Sequence, residues 1–326
     1  MADYKTIHGT LVRSYTTDPD NLITGQVWYD KTNKVLQFQA AGAAAWATGG
    51  AMGTARYSLG GAGTQTAALG FGGSPPNSAL TESYNGSSWT EVADLNLARN
   101  GMGSTGTQTS AIAFGGENSG VKNETETWNG TSWTEVGNLN STSKYRGGSG
   151  TDSTEALAFG GIGPDNSSDF AETESWNGTA WTEVADMNEV KHNLTGSGTN
   201  TATVAFGGTP GTKASTEVWN GTSWTEVANL NTGGFTRAAS ILTSTAAIAM
   251  GGQAPVGPST LANTEIWNGT SWSETTDIPT AKAYGGGAGT STAAITFGGW
   301  IAPVGSLATT FEFNDPVLST KTVSTD

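Results

Sequence analysis

Residues that could do chemistry are few in this chain of 326 residues, and the most regular of them are glutamates. Its two histidines, His8 and His192, stand in unrelated sequence contexts and lack the Ser and Asp arrangement of a catalytic triad. The glutamates recur in two columns: Glu82, Glu126, Glu174, Glu217 and Glu265, and Glu91, Glu135, Glu183, Glu226 and Glu274. Because a general acid and base act as one unique pair, repeated carboxylates indicate structural or solvated positions. We therefore predict no catalytic residue and no enzyme activity.

Composition argues against several partners and cofactors. The chain has no Cys, which rules out thiolate ligands, and its acidic loops lack the spacing of a known calcium site, so no metal or other cofactor is predicted. A formal net charge of −14 argues against nucleic acid or an anionic membrane surface as a partner. No stretch approaches the ~18 apolar residues of a membrane span, and "MADYKTIHGT" has no apolar signal core, so no membrane insertion is expected.

Two phrases repeat along the chain and show how it is organised. "WNGTSWTEV" at 128–136 recurs unchanged from residue 219 and has variants that begin at residues 84, 176 and 267. Its Asn-Gly step predicts a tight hairpin. "FGG" begins at Phe71, Phe114, Phe159, Phe206 and Phe297, with "MGG" at Met250. The successive spacings are 43, 45, 47, 44 and 47 residues. A period in the forties with a Gly pair and a Trp favours the four-stranded blades of a β-propeller.

The repeat also has the features of a known family. A strand closed by a Gly pair, an aromatic residue on the next strand, a Trp on the last strand and a basic residue at the start of the next unit resemble the kelch repeat over about 43–313. In one departure, the aromatic residue of the third strand is mostly Trp here. The resemblance implies a β-propeller, and it implies no particular chemistry.

The repeats also indicate how the chain would close on itself. The Gly pair and the third-strand aromatic occur six times, but no fourth-strand Trp follows the last of these, Phe313. Trp46 stands 25 residues before Phe71 and supplies the missing copy. We therefore predict an all-β, six-bladed kelch-like propeller over 41–314, with four-stranded blades. Its last blade would be closed by an N-terminal strand near Trp46, which leaves no open sheet edge.

The residues outside the repeats are predicted to form an arm and a tail. Within the arm, residues 1–40, the segment "GQVWYDKTNKVLQFQ" alternates apolar and polar residues around "DKTNK" and predicts a β-hairpin. This hairpin resembles the N-terminal segments of tailed-phage virion proteins, which implies docking on other virion proteins. The predicted docking residues are Val27, Trp28, Tyr29, Leu36 and Phe38. Residues 315–326 are predicted to be a polar tail.

Comparing the repeats with one another separates constant links from variable ones. The Asn-Gly turns hardly vary, whereas the links after the Gly pairs and between blades vary in length and content. In a four-stranded meander both variable kinds emerge on one face, and diverse loops on a rigid scaffold are typical of a binding surface. The candidate ligand or partner residues on these links are Arg56, Arg99, Lys144, Tyr145, Phe170, Lys191, Phe235, Arg237, Lys282, Tyr284 and Trp300. Their basic members would either pair with the glutamate columns or form a positive collar for an acidic ligand.

Three functions fit these expectations. The first is a non-enzymatic phage virion protein, a tail fibre, tail-associated or capsid decoration protein, that binds a host surface glycan, a host protein or a neighbouring virion subunit. The second is a cytoplasmic kelch-type protein-interaction module, and the third is a glycan-active propeller enzyme. Adaptors usually carry a second folded domain, and an enzyme needs one blade with unique acid or base residues. The repeats show neither feature, so we favour the first function.

Overall fold

The structure is a computed structural model that describes residues 12–19, 26–41, 43–210, 214–235, 238–239, 243–254, 259–315 and 318–323. The regular structure in these segments consists of β-strands, which agrees with the all-β prediction. They include no helix long and apolar enough to cross a membrane. The chain divides into two compact units, one of residues 1–45 with 315–326 and one of residues 46–314.

Six four-stranded antiparallel sheets account for most strands described in the larger unit. Sheet 1 has β5 (Gly60–Thr64), β6 (Ala67–Phe71), β7 (Thr81–Tyr84) and β8 (Trp89–Val92). Sheet 2 has β9 (Gly103–Gly106), β10 (Ala111–Phe114), β11 (Thr125–Trp128) and β12 (Trp133–Glu135). Sheet 3 has β13 (Gly147–Asp152), β14 (Glu155–Phe159), β15 (Thr173–Trp176) and β16 (Trp181–Val184).

The remaining sheets follow the same order. Sheet 4 has β17 (Thr195–Thr199), β18 (Ala202–Phe206), β19 (Thr216–Trp219) and β20 (Trp224–Val227). Sheet 5 has β21 (Ala238–Ala239), β22 (Ala247–Gln253), β23 (Thr260–Trp267) and β24 (Trp272–Thr275). Sheet 6 has β25 (Gly286–Gly289), β26 (Ala293–Phe297), β29 (Thr310–Asn314) and β4 (Ala45–Thr48). A short hairpin of β27 (Trp300–Ile301) and β28 (Gly305–Ser306) lies between β26 and β29 in the chain.

Glycine on the first strands lets neighbouring sheets approach closely. The first strand of each sheet contacts the first strand of the next, and β25 contacts β5. A Cβ on Gly61 would lie 2.6 Å from the carbonyl oxygen of Gly287, a distance that real side chains do not reach. The Gly-rich composition of these strands therefore follows from backbone-to-backbone packing between sheets.

The two repeated phrases pack consecutive sheets against each other. Between sheets 1 and 2, the ring of Phe71 from "FGG" lies 4.8 Å from the ring of Trp133, and Trp133 Nε1 donates to Thr81 Oγ1 at 3.0 Å. Equivalent hydrogen bonds join Trp181 to Thr125, Trp224 to Thr173, Trp272 to Thr216 and Trp89 to Thr310. The phrases recur because each sheet supplies one half of this contact to each neighbour.

Sheet 6 differs from the others in the origin of its fourth strand. That strand is β4, which lies beside β29 and places the ring of Trp46 5.2 Å from the ring of Phe313. The indole of Trp46 donates to the carbonyl oxygen of Thr276 at 2.7 Å. By the pattern of the other sheets it would donate to Thr264, whose hydroxyl oxygen has no partner among the described residues. Trp46 thus holds the strand position of its equivalents without their hydrogen bond.

The smaller unit contains one sheet, here called the arm sheet. It has β1 (Arg13–Tyr15), β2 (Val27–Asp30), β3 (Val35–Ala41) and β30 (Leu318–Thr322), in that order. The predicted hairpin is present as β2 and β3. The interpretation of 315–326 as a tail is corrected, because β30 pairs with β3. A two-stranded hairpin is marginal alone, and β30 supplies a further strand.

The two faces of β2 differ in exposure. Val27 is 40% and Tyr29 37% exposed, and they pair across the ladder with the half-buried Phe38 and Leu36. Trp28 is 0% exposed, so its prediction as a docking contact is wrong. Alternation in the sequence separates the faces of a strand, but it does not show which face the fold covers.

Candidate binding site

The first basic residues of the repeats are buried in ion pairs. Arg99, 0% exposed, lies 3.2 Å from Glu126, which is itself buried. Equivalent pairs join Arg56 to Glu82 at 2.7 Å and Lys191 to Glu217 at 3.0 Å. Burial lowers the pKa of Arg99, while Glu126 raises it. The positive collar is therefore wrong for Arg56, Arg99 and Lys191, because a cation that is paired and removed from water cannot attract a ligand.

The same glutamates also hold the link that enters their sheet. Glu126 Oε2 accepts hydrogen bonds from the backbone N–H of Asn96 at 2.7 Å and from its side-chain amide at 2.9 Å. The arrangement recurs for Glu174 with Asn140, Glu217 with Asn188 and Glu265 with Asn231. The fourth-strand glutamates are exposed. The glutamates of the third strand therefore have a structural role, because each carboxylate accepts hydrogen bonds from several donors.

Sheet 3 obtains its cation from a different position. Ser143 stands where sheet 2 has its arginine, and Arg146, three residues later, lies 3.1 Å from Glu174. Lys144, which the sequence indicated as the basic residue of this repeat, forms an ion pair with Glu117 from the link after β10. The sequence contained a signal for Arg146. It precedes Phe159 by 13 residues, the spacing at which Arg237 precedes Met250.

Arg237 itself lies outside the described residues. In the sequence it follows Gly234 by three residues, as Arg146 follows Ser143. A small residue at the usual cation position thus accompanies an arginine three residues later in both repeats.

Sheet 6 has neither the carboxylate nor its asparagine. Phe311 stands at the glutamate position and Pro279 at the asparagine position, so neither acceptor nor backbone donor is present. Lys282, 3% exposed, donates from Nζ to the carbonyl oxygen of Gly298 at 3.1 Å and lies 5.2 Å from the centroid of the Phe311 ring. Burial lowers the pKa of Lys282 to about 7. Lys282 is thus also not part of an exposed collar.

A chain of backbone hydrogen bonds runs across the sheets at the start of their first strands. Its members are Ser58, Gly101, Tyr145, Asn193 and Tyr284, which we call the mouth residues. Each stands two residues before its first strand in the left-handed region, with φ between 52° and 62°. The N–H groups of Ser58, Gly101, Tyr145 and Asn193 donate to the carbonyl oxygens of Tyr284, Ser58, Gly101 and Tyr145, at 2.7–2.9 Å.

Four non-glycine residues hold this conformation, which ordinarily costs about 1 kcal/mol or more each. Strained backbone positions of this kind cluster at functional sites. They hold a side chain in a direction that the regular geometry of a strand does not give it. Here they aim Ser58, Tyr145, Asn193 and Tyr284 around a cavity of about 130 Å³. The other lining residues include glycines of the first strands, three apolar side chains and Arg146.

The residue just before each mouth residue brings in the second kind of variable link. Five such residues form a backbone bridge to the link that follows the Gly pair of the same sheet: Tyr57, Asn100, Lys144, His192 and Ala283. Phe235 forms the same kind of bridge in sheet 5. The two kinds of variable link therefore lie side by side, as predicted. This neighbourhood includes a pair that the sequence did not reveal, His192 Nδ1 against the Asp169 carboxylate.

Two tyrosines, Tyr145 and Tyr284, line the cavity, and Tyr57 lies beside one of them. The rings of Tyr57 and Tyr284 lie 6.1 Å apart, and Tyr284 Oη donates to Gln253 Oε1 at 2.9 Å. Burial raises the pKa of Tyr145 and of Tyr284, and the charge of Glu117 adds to the effect on Tyr145. The sequence did not identify Tyr57 and Asn193 as candidates. Tyr57 directly follows Arg56, and Asn193 lies two residues after Lys191.

Three other selected aromatics lie on the variable links outside the cavity lining. Phe170 is half-buried beside Gly163, and its N–H donates to the carbonyl oxygen of Gly161 at 2.8 Å. Phe235 bridges to Gln253, and Trp300 bridges to Ala283. All three side chains are half-buried. In the segments that the structure covers, no cluster of His, Asp and Glu could hold a metal ion.

Comparison with known proteins supports the fold. No family model matches the chain. No curated protein matches it either. The solved structure of YjhT is similar over 84% of this chain and 99% of its own length, with a TM-score of 0.66 and 14% sequence identity. At this identity the likeness concerns the fold alone. Together with the repeated four-stranded antiparallel sheets, it supports a β-propeller for this chain.

Proposed function

We propose that this chain is a non-enzymatic structural protein of a tailed-phage particle, such as a tail fibre, tail-associated or decoration protein. Its propeller would bind a host surface glycan, a host protein or a neighbouring virion subunit. The observation that carries the binding role is the convergence of Ser58, Tyr145, Asn193 and Tyr284, from four sheets, on one cavity. The glutamates and cations that could have served catalysis hold the scaffold together instead.

The finer architecture that we propose is a ring of six blades closed by β4. Three features support it. Strand β25 contacts β5, the ring of Trp89 lies 4.7 Å from that of Phe297, and the N–H of Ser58 donates to the carbonyl oxygen of Tyr284. The strand contact joins every other pair of neighbouring sheets. The ring contact recurs from sheet 1 to sheet 5, and the backbone hydrogen bond recurs from sheet 1 to sheet 4. A closed ring would leave no blade without a neighbour, and β4 would complete the last blade.

The arm sheet would attach the protein to the particle. Val27 and Tyr29 present apolar surface on one face, next to the half-buried Leu36 and Phe38. An apolar face on a small sheet is a suitable contact for another protein chain. In this proposal, other virion proteins cover that face.

The proposal predicts that the chain is a constituent of the virus particle. Mass spectrometry of gradient-purified particles of the encoding virus should find it together with the major capsid and tail proteins. Antibodies against it should label intact particles, because the propeller would be displayed outward. The matched control is a replication protein of the same virus, which should be absent from the particles. Finding the chain only in the soluble fraction of infected cells would refute the virion assignment.

A further inference from the structure

We infer that the cavity lined by the mouth residues, here called the mouth, binds an uncharged saccharide unit. This inference rests on the proposed binding function and specifies its ligand class. Three properties of the site carry it: the pairing of its charges, the chemistry of its unused polar groups, and its size.

Among the described residues, the charges near the cavity already have partners. Arg146, the cation that lines the cavity among the described residues, lies 3.1 Å from Glu174 and 3.3 Å from Glu172. Lys144 is paired with Glu117, and the Asp169 carboxylate is in hydrogen-bond contact with His192 Nδ1. An anionic ligand would have to break one of these pairs and would also meet a chain with a net charge of −14. An uncharged ligand meets neither obstacle.

The polar groups left over suit hydroxyl groups. In the part of the chain that the structure describes, the amide of Asn193 and the hydroxyl of Ser58 make no side-chain hydrogen bond. Together they offer donors and acceptors at the cavity wall. Tyr145 and Tyr284 also line the cavity, and the Tyr284 hydroxyl, which donates to Gln253 Oε1, can still accept a hydrogen bond from a sugar hydroxyl. Their rings, with that of Tyr57, offer apolar faces on which a sugar ring can pack.

The size of the cavity indicates which part of a glycan would enter. Its volume of about 130 Å³ lies below the ~300–1,000 Å³ of pockets that enclose drug-sized ligands. It therefore suits the terminal unit of a glycan, and it does not suit an extended internal stretch.

The test compares uncharged and anionic sugars of the same shape on the full-length protein. Isothermal titration with methyl galactoside and methyl galacturonide, and with the matched glucose and glucuronic acid pair, should show at least about tenfold tighter binding of one or both uncharged members. Side-chain removal uses Tyr145→Gly and Asn193→Gly, because glycine keeps the left-handed backbone that Gly101 already has in sheet 2. Each should weaken the binding at least about tenfold, while the exposed control Thr222→Ala on an Asn-Gly turn should leave it unchanged.

Thermal unfolding of each variant checks that it folds. Tighter binding of the uronic acids, lost in the glycine variants, would overturn the uncharged class and leave the binding function in place. Saccharide binding that survives both glycine substitutions would overturn the location at the mouth. If no sugar binds but host envelope protein does so through Tyr145, the saccharide inference fails and the proposed function stands.

Discussion

Replacing Glu126 with Gln is expected to destabilise the protein by about 3–5 kcal/mol, since it leaves a buried cation without its counter-charge. Arg99 is fully buried and cannot lose its proton at accessible pH, so the cost cannot be avoided by neutralisation. Urea unfolding followed by Trp fluorescence measures the change, because the indole rings lie between the sheets. The free energy of unfolding should fall and the slope with urea should stay constant.

The matched control for this substitution is Glu135→Gln. Glu135 is the cross-strand neighbour of Glu126 in β12, but it is exposed. An exposed carboxylate contributes little, so a change below about 1 kcal/mol is expected. Equal effects of the two substitutions would show that the third-strand column does not hold the sheets as described.

Replacing Lys282 with Met is expected to stabilise the protein. Removing one partner of a buried ion pair has the opposite effect. The pKa of Lys282 lies at about 7 in the folded chain, against an ordinary value of 10.5. Below pH 7 the folded state must hold a buried ammonium group, and the pKa difference sets an upper limit of roughly 5 kcal/mol on this cost. Between pH 7 and 10.5 only the unfolded chain binds the proton, so the stability of the natural chain rises with pH.

The advantage of the Met variant should therefore be largest at and below pH 7 and should shrink steadily towards pH 10.5. Urea titrations at pH 6, 7, 8 and 9 measure it. Lys191→Met is the control of opposite sign, because it leaves Glu217 buried without a counter-charge. A Lys282→Met variant that is less stable than the natural chain at pH 6, or a difference that does not depend on pH, would contradict the environment described for Lys282.

The repeat pattern predicted the sheets well because it reflects contacts that every sheet must make. The Phe of "FGG" and the fourth-strand Trp meet between sheets, so their spacing repeats. The position of β4 could be inferred from Trp46 for the same reason. The hydrogen bond from Trp46 to Thr276 could not be inferred in this way. The repeat pattern indicates the position of the strand, but it does not indicate the direction of the indole ring.

The candidate site was less predictable, because spacing locates a residue along a strand without showing what its side chain meets. Arg99 and Tyr145 both lie just before the first strand of their sheet, yet one is buried against Glu126 and the other lines the cavity. Tyr145 has a left-handed backbone conformation, which directs its side chain differently from that of Arg99. Glycine and asparagine favour this conformation, but a tyrosine in the sequence does not indicate it. The pairing of β30 with β3 was also hidden, because short polar strands have little sequence signal.

The proposed binding surface of the chain consists of the mouth residues and the variable links around them. The most direct test measures binding of the purified protein to envelope preparations from the host of the encoding virus, using two triple variants. Tyr145→Gly, Tyr284→Gly and Trp300→Ala alter the mouth and a neighbouring link, whereas Thr131→Ala, Thr179→Ala and Thr222→Ala alter exposed positions on the Asn-Gly turns. With about 1–3 kcal/mol expected per aromatic anchor, the first variant should bind at least about 100-fold more weakly, and the second should bind like the natural chain. Loss of binding in the second variant but not in the first would contradict the account.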